Sequence, residues 1–138
     1  MRLSTSRCLI AVLLAIVLAS GCDSALEPMT SVRGKVTYRG VPLHTGTIVF
    51  TPDESRGTTG PMARAEIRAE GTYELSTEDQ RGARAGWYRV TIMAMDGSPG
   101  SYSMPRSLLP DKYRDPELSR LSCHVKSSQE NIVDFNLE

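Results

Sequence analysis

The stretch "GWYRVTIMAM", residues 86–95, decides how the rest of this chain is read. After the glycine, Tyr88, Val90, Ile92 and Ala94 fall on one side of an extended backbone and Arg89 and Thr91 on the other. That two-residue period belongs to a strand with one buried face, whereas a helix would repeat its apolar positions every three or four residues. The spacing therefore predicts a strand over Trp87–Met95. Tyr88, just past a glycine turn, is placed like a tyrosine corner, with its ring buried and its hydroxyl tied to backbone.

The same alternation recurs on both sides. Val32, Gly34, Val36 and Tyr38 share one face of a first strand, with Arg33, Lys35 and Thr37 on the other. Arg39-Gly40-Val41-Pro42 turns the chain into Thr47–Thr51, which Pro52 ends. Ala63–Arg68 is a third strand, and Glu70-Gly71 a tight hairpin turn into Thr72–Ser76, where Tyr73 and Leu75 point inward. Gly82–Gly86 makes the turn before the strongest strand. Downstream, Leu121, Cys123 and Val125 form an inward row, and Val133, Phe135 and Leu137 do so in the last strand, Ile132–Leu137. Seven short strands between turn signals, with no sustained helical period, predict an all-β sandwich. Asp53–Pro61 is read as a solvated loop, and Asp96–Pro110, with three prolines and two glycines, as a mobile connection.

Ahead of the strands the composition changes. Arg2 and Arg7 precede the apolar run Leu9–Ala19, which is shorter than the roughly 20 residues a spanning helix needs but right for a secretory signal helix. Small residues and a cysteine follow, so the segment resembles the export signal of bacterial lipoproteins, with Ala19-Ser20-Gly21-Cys22 at the lipobox. Ala19 stands where that family has a large aliphatic residue. The resemblance implies cleavage before Cys22, a diacylglyceryl thioether on its sulfur, and often an acyl chain such as palmitate on its freed amine. Asp23 resembles the inner-membrane retention signal of enteric bacteria. The expected organisation is thus a signal peptide over 1–21, a lipidated tether over 22–30 and one domain over 31–138. The location implied is extracytoplasmic and membrane-anchored, on the periplasmic face or at the cell surface.

The full chain has 138 residues, with 16 basic and 16 acidic. Losing residues 1–21 removes Arg2 and Arg7 and leaves 117 residues with 14 basic against 16 acidic, a net charge of −2. Nothing there is basic enough for a nucleic-acid partner, which needs clustered Lys and Arg. Cys8 leaves with the signal and Cys22 is acylated, so Cys123 has no partner for a disulfide.

The ordered set "VRGKVTYRGVPLHTGTIVFTP", "AEGTYELST", "GARAGWYRVTI" and "LLPDKYRDPELSRLSCHVKSSQENIVDFNLE" resembles the small lipoproteins, abundant in planctomycete bacteria, that carry a carboxypeptidase-regulatory-like or transthyretin-like domain. The resemblance covers about residues 31–138. It implies a seven-stranded Greek-key sandwich of prealbumin-like, immunoglobulin-like architecture, and it brings no established activity. Transthyretin-like hydroxyisourate hydrolases use several histidines and an arginine and end in Tyr-Arg-Gly-Ser. This chain has only His44 and His124 and ends Phe135-Asn136-Leu137-Glu138.

No catalytic set, metal site or cofactor is therefore expected. Cys123 and His124 face opposite sides of one strand and do not chelate together. Cys123 alternates with Leu121 and Val125 as a buried hydrophobe, not a reactive thiol. An internal isopeptide bond from Lys35 to Asn131, Asp134 or Asn136 would need a buried lysine, yet Lys35 shares its face with Arg33 and Thr37. What remains is a non-enzymatic binding or structural module of the cell envelope, membrane-bound through its anchor, whose loops meet an envelope protein or glycan. Trp87 and Tyr102 are its candidate ligand contacts, because sugar faces stack on exposed rings. The alternative is an oligomeric transthyretin-like hydrolase or small-ligand carrier with a site between subunits, using acid pairs such as Asp53/Glu54 or Glu78/Asp79.

Overall fold

Residues 27–97, 100 and 102–138 are described by the computed structural model. The signal segment 1–21, Cys22 and the tether up to Ala25-Leu26 lie outside the described residues. The described strands, in chain order, are β1 (Val32–Tyr38), β2 (Val41–Pro42), β3 (Thr47–Pro52), β4 (Ala63–Glu66), β5 (Thr72–Glu74), β6 (Ser76–Thr77), β7 (Gln80–Arg81), β8 (Gly86–Met93), β9 (Met95–Asp96), β10 (Arg106–Ser107), β11 (Leu121–Val125), β12 (Asn131–Ile132) and β13 (Phe135–Leu137). Two short 3-10 turns, Glu54–Arg56 and Asp111–Arg114, are the only helical elements among them.

Two sheets enclose one core. The larger runs β11-β8-β3-β4-β6-β7, antiparallel throughout. In the smaller, β1 is central, with β2 and β5 antiparallel to it and β12 and β13 parallel to it. The alternation read from the sequence is the cause: Val32 and Val36 of β1, Ile48 and Phe50 of β3, and Tyr88, Val90 and Ile92 of β8 are all buried, while Arg33 and Lys35 face out. Phe50 joins the layers. Its ring centroid lies 5.9 Å from that of Tyr88 in its own sheet, and 6.3 Å and 6.1 Å from Tyr73 and Phe135 in the other. Aromatic contacts at this range add to the gain from burial alone.

Three tyrosine hydroxyls are satisfied by backbone carbonyls. Tyr88 donates to the Arg84 carbonyl at 2.9 Å, the corner that its position suggested. Tyr73 donates to the Val133 carbonyl at 2.6 Å, and Tyr113 to the Glu138 carbonyl at 2.9 Å. Each hydroxyl that enters the core takes a backbone partner with it, as buried polar groups must.

Two local readings change. A turn does form at Arg68–Gly71, with the Gly71 N–H on the Arg68 carbonyl at 2.8 Å and Gly71 at φ 81°. The chain that leaves it does not return along β4. β5 crosses to pair with β1, and after buried Leu75 the chain rejoins the first sheet as β6, so the expected single strand Thr72–Ser76 is split between the layers. The second change is at the carboxyl end, where Ile132–Leu137 is interrupted at Val133-Asp134. The register against β1 has the same offset on both sides of the break, so no residue is gained or lost. At the break the Lys35 N–H turns to the Asp134 carboxylate at 2.8 Å, and Val133 approaches Gly34 so closely that a Cβ there would collide with its carbonyl.

Asn131 secures the start of this last segment. Its side-chain oxygen accepts from the Lys126 N–H at 2.8 Å, and its amide donates to the Lys126 and Gln129 carbonyls at 3.0 Å and 3.1 Å. The side chain is buried, so truncation strands several polar groups. Asn131→Ala is expected to cost about 1–3 kcal/mol, and Gly34→Ala about 3 kcal/mol by overpacking against Val133. Urea unfolding of both variants checks this; a Gly34→Ala midpoint equal to that of the parent would contradict the packing described.

Candidate functional site

Trp87 and Tyr102 lie at opposite ends of the larger sheet. Trp87 stands at the start of β8, and Tyr102 lies in the connection that follows its other end, roughly 26 Å away along eight residues of strand. The two rings do not form a common site.

Trp87 is half-buried on the outer face, and its ring is flanked on both sides. His124, its direct cross-strand partner on β11, stacks on it with centroids 4.6 Å apart and planes at 11°. From the β3 side the Arg56 guanidinium lies 4.4 Å from the ring centroid. Because β8 runs between β11 and β3, these groups approach opposite faces of the indole. What Trp87 presents to solvent is an edge, not a free face on which a sugar could stack.

Arg56 is held there by a carboxylate that sequence reasoning left in a solvated loop. Asp53 is only 5% exposed. It accepts from the Ser55 hydroxyl at 2.5 Å and the Ser55 N–H at 3.2 Å, and it pairs with Arg56 Nε at 3.5 Å and Arg89 Nε at 3.4 Å. Arg89 also bonds Glu117. The Ser55 hydroxyl, and then Arg89, hold the Asp53 carboxyl below its usual range against the opposing effect of burial. Arg89 is correspondingly raised, chiefly by Asp53 and then by Glu117. The signal for this lay in Asp53-Glu54-Ser55-Arg56-Gly57: an aspartate capping a short turn, with Gly57 at φ 78° ending it. Thr58 is buried too, and its hydroxyl accepts from the Trp87 N–H at 2.8 Å. The segment expected to be too polar to pack is thus fastened to β8.

At the other end, the described residues of 96–110, which leave out 98, 99 and 101, carry more order than a mobile connection. β9 and β10 form a small hairpin with Met95 opposite Ser107 and Asp96 opposite Arg106, and the Leu108 N–H returns to the Ala94 carbonyl at 2.9 Å. Tyr102, in the connection between β9 and β10, is fully exposed, and Met95 before it and Met104 after it in the chain are exposed.

The remaining candidates scatter. Glu78 and Asp79 occupy the exposed β6–β7 turn, and His44 is exposed between β2 and β3. Lys35 is exposed, as its strand parity indicated. Cys123 is 7% exposed, and burial pushes its thiol up to about 11. Among the described residues, no three of His, Cys, Asp and Glu converge as metal ligands, and no helix is long and apolar enough to cross a membrane.

No protein-family model, curated protein or solved structure matches this chain.

Two expectations follow from the geometry. Trp87 is the single tryptophan, so acrylamide quenching reads its faces directly; Arg56→Ala is expected to uncover one of them and raise the quenching constant. Asp53, with its native pKa depressed, contributes stability that is present at neutral pH and lost as the pH falls below the ordinary carboxylate range through the lowered value. Thermal melts over acidic pH should therefore show the advantage of the parent over Asp53→Asn shrinking with acidification; an advantage that grew would reverse the sign.

Proposed function

We propose that this protein is a membrane-anchored, non-enzymatic binding or structural module of a bacterial cell envelope, held through acyl chains on Cys22 and displaying its far end to a protein or glycan. The observation that carries this reading is the polarity of the sandwich. Thr30 bridges to Ala83, beside the start of β8, so the described chain enters at the Trp87 end. The hairpin that bears Tyr102 leaves from the opposite end.

From Cys22 to Thr30 the tether spans at most about 28 Å when extended. An anchor at Cys22 therefore keeps the Trp87 end near the bilayer and turns the Tyr102 hairpin away from it. Two or three acyl chains, at about 0.8 kcal/mol per buried methylene, are sufficient for stable attachment where one is marginal. The lipoprotein signal, the extracytoplasmic location and the kinship with carboxypeptidase-regulatory-like or transthyretin-like domains belong to the same proposal. So does the reading of the sandwich as a seven-stranded Greek key, for which the support is two packed, largely antiparallel sheets.

Labelling with an alkyne fatty acid in a bacterial host tests the anchor. The parent protein should incorporate label and fractionate with membranes, and Cys22→Ser should do neither. Unlabelled parent protein would remove the anchor from the proposal. For the displayed end, crosslinking from a photoreactive residue at position 102 should capture an envelope component that the same probe at position 44 does not.

A further inference from the structure

An open pocket of about 490 Å³ lies at one edge of the sandwich. Its walls come from the 3-10 turn Asp111–Arg114, the segment just before β11, the start of β11 and the end of β13. β11 is the edge strand of the larger sheet, and β13 pairs only with the far end of β1 in the smaller. The pocket therefore sits where the two layers meet at their edges, in the half of the domain away from the end where the chain enters.

Two cations line it without a carboxylate partner. Among the described residues no acid pairs with Lys112 or Arg120, whereas the nearby Arg89 and Arg114 are bound to Glu117 and Asp111. The side-chain oxygen of Asn136 accepts from the Thr37 hydroxyl at 2.7 Å, which leaves its amide N–H groups to donate. Glu138 is the one acid of the lining, so the charge balance favours an anion. Arg120 itself has φ 55°, a left-handed conformation that disfavours any residue with a Cβ. The chain before it is pinned: the buried Ser119 hydroxyl donates to the Val90 carbonyl at 2.7 Å and accepts from the Leu121 N–H at 3.3 Å. The Asp115 carboxylate accepts from the Glu117 and Leu118 N–H groups at 2.7 Å and 3.2 Å. The segment that carries Leu118 and Arg120 is thus ordered before a ligand arrives, which lowers the cost of binding one.

We propose that this pocket binds a small organic carboxylate, an anionic head joined to an apolar body. The head meets the Arg120 guanidinium, whose fork matches a carboxylate, together with the Lys112 ammonium and the Asn136 amide. The body lies against Leu118, which is 60% exposed, and the half-buried Leu121. The volume falls within the roughly 300–1,000 Å³ of small-molecule sites. A bare inorganic anion would leave the leucines uncovered, and a neutral apolar molecule would desolvate the two cations without pairing them. A smaller cavity of about 360 Å³ on the other sheet has a different character, because Arg33 and Arg68 in its lining are already paired with Glu130 and Glu74. The carboxylate pocket shares no lining residue with the Tyr102 hairpin and does not depend on the anchor at Cys22.

The test is an NMR titration of the isotope-labelled whole chain with hexanoate, with hexanol and hexylammonium as matched controls. Hexanoate is expected to shift the backbone amides of Arg120 and Leu121 and the side-chain amide of Asn136 along one saturable curve, and the two controls to leave them in place. Lys112→Gln/Arg120→Gln should weaken hexanoate binding by about tenfold or more, since bonds to a charged partner are lost. The same variant should keep the parent melting temperature, because both side chains are exposed. Arg81→Gln, on exposed β7, should bind as the parent does. Equal shifts with hexanol, hexanoate binding that survives the double substitution, shifts confined to other residues, or no saturable shift at all would each overturn the proposal.

Discussion

Phe50 is where the two layers of this protein meet, and the arrangement of the rest answers to that contact. Its ring touches Tyr88 beside it and Tyr73 and Phe135 opposite, so one residue of β3 holds β8 in its own sheet and β5 and the last strand, β13, in the other. A large-to-small change at such a position loses both transfer energy and packing, about 3–5 kcal/mol for phenylalanine. Two of its three partners are tyrosines whose hydroxyls lead outward to carbonyls of Arg84 and Val133. The core therefore fixes not only the separation of the sheets but also the path of the chain at its edges. Burial raises the ionisation of both tyrosines, so these hydroxyls stay protonated donors across the physiological range.

The second constraint is the absence of a side chain at Gly34. A parallel strand beside β1 must come close enough at Val133 to accept the Tyr73 hydroxyl, and any Cβ at position 34 would stand in its way. The polar chemistry around the break compensates for the lost ladder: Asp134 takes the Lys35 N–H, and Asn131 collects the ends of the preceding turn. First and last segments of the domain are thus locked together at the end where the chain enters. The β9–β10 hairpin at the other end stands on its own ladder, on the Leu108 N–H bond to Ala94 and on buried Leu109, which follows it into the core.

The faces of the strands were legible because burial on one side forces a two-residue period, and β1, β3, β8 and β11 show it plainly. Pairing was not legible. Nothing in Thr72–Ser76 marks the crossing from one sheet to the other, since both halves keep the same alternation and only the partners differ. The break at Val133-Asp134 is equally silent, because the apolar parity continues across it. At the candidate sites the outcome divides along the same line. Tyr102 was recognisable as exposed from the glycines and prolines around it, a local property. The flanking of Trp87 depends on His124 and Arg56, 37 and 31 residues away in the chain, and on the burial of Asp53, which composition alone reads as solvated.

The charged cluster at the entry end and the apolar hairpin at the other end give the molecule a direction. At the entry end, polar groups are spent on one another: Asp53 binds both arginines, and the arginine nearest Trp87 covers the ring. In such a surface the polar groups bond one another. At the distal end, Met93 at the end of β8, Met95 on β9, and Tyr102 and Met104 in the connection to β10 stand in solvent. Uncovered, these adaptable apolar side chains add nothing to the core. The proposal that recognition takes place at this end rests on that contrast.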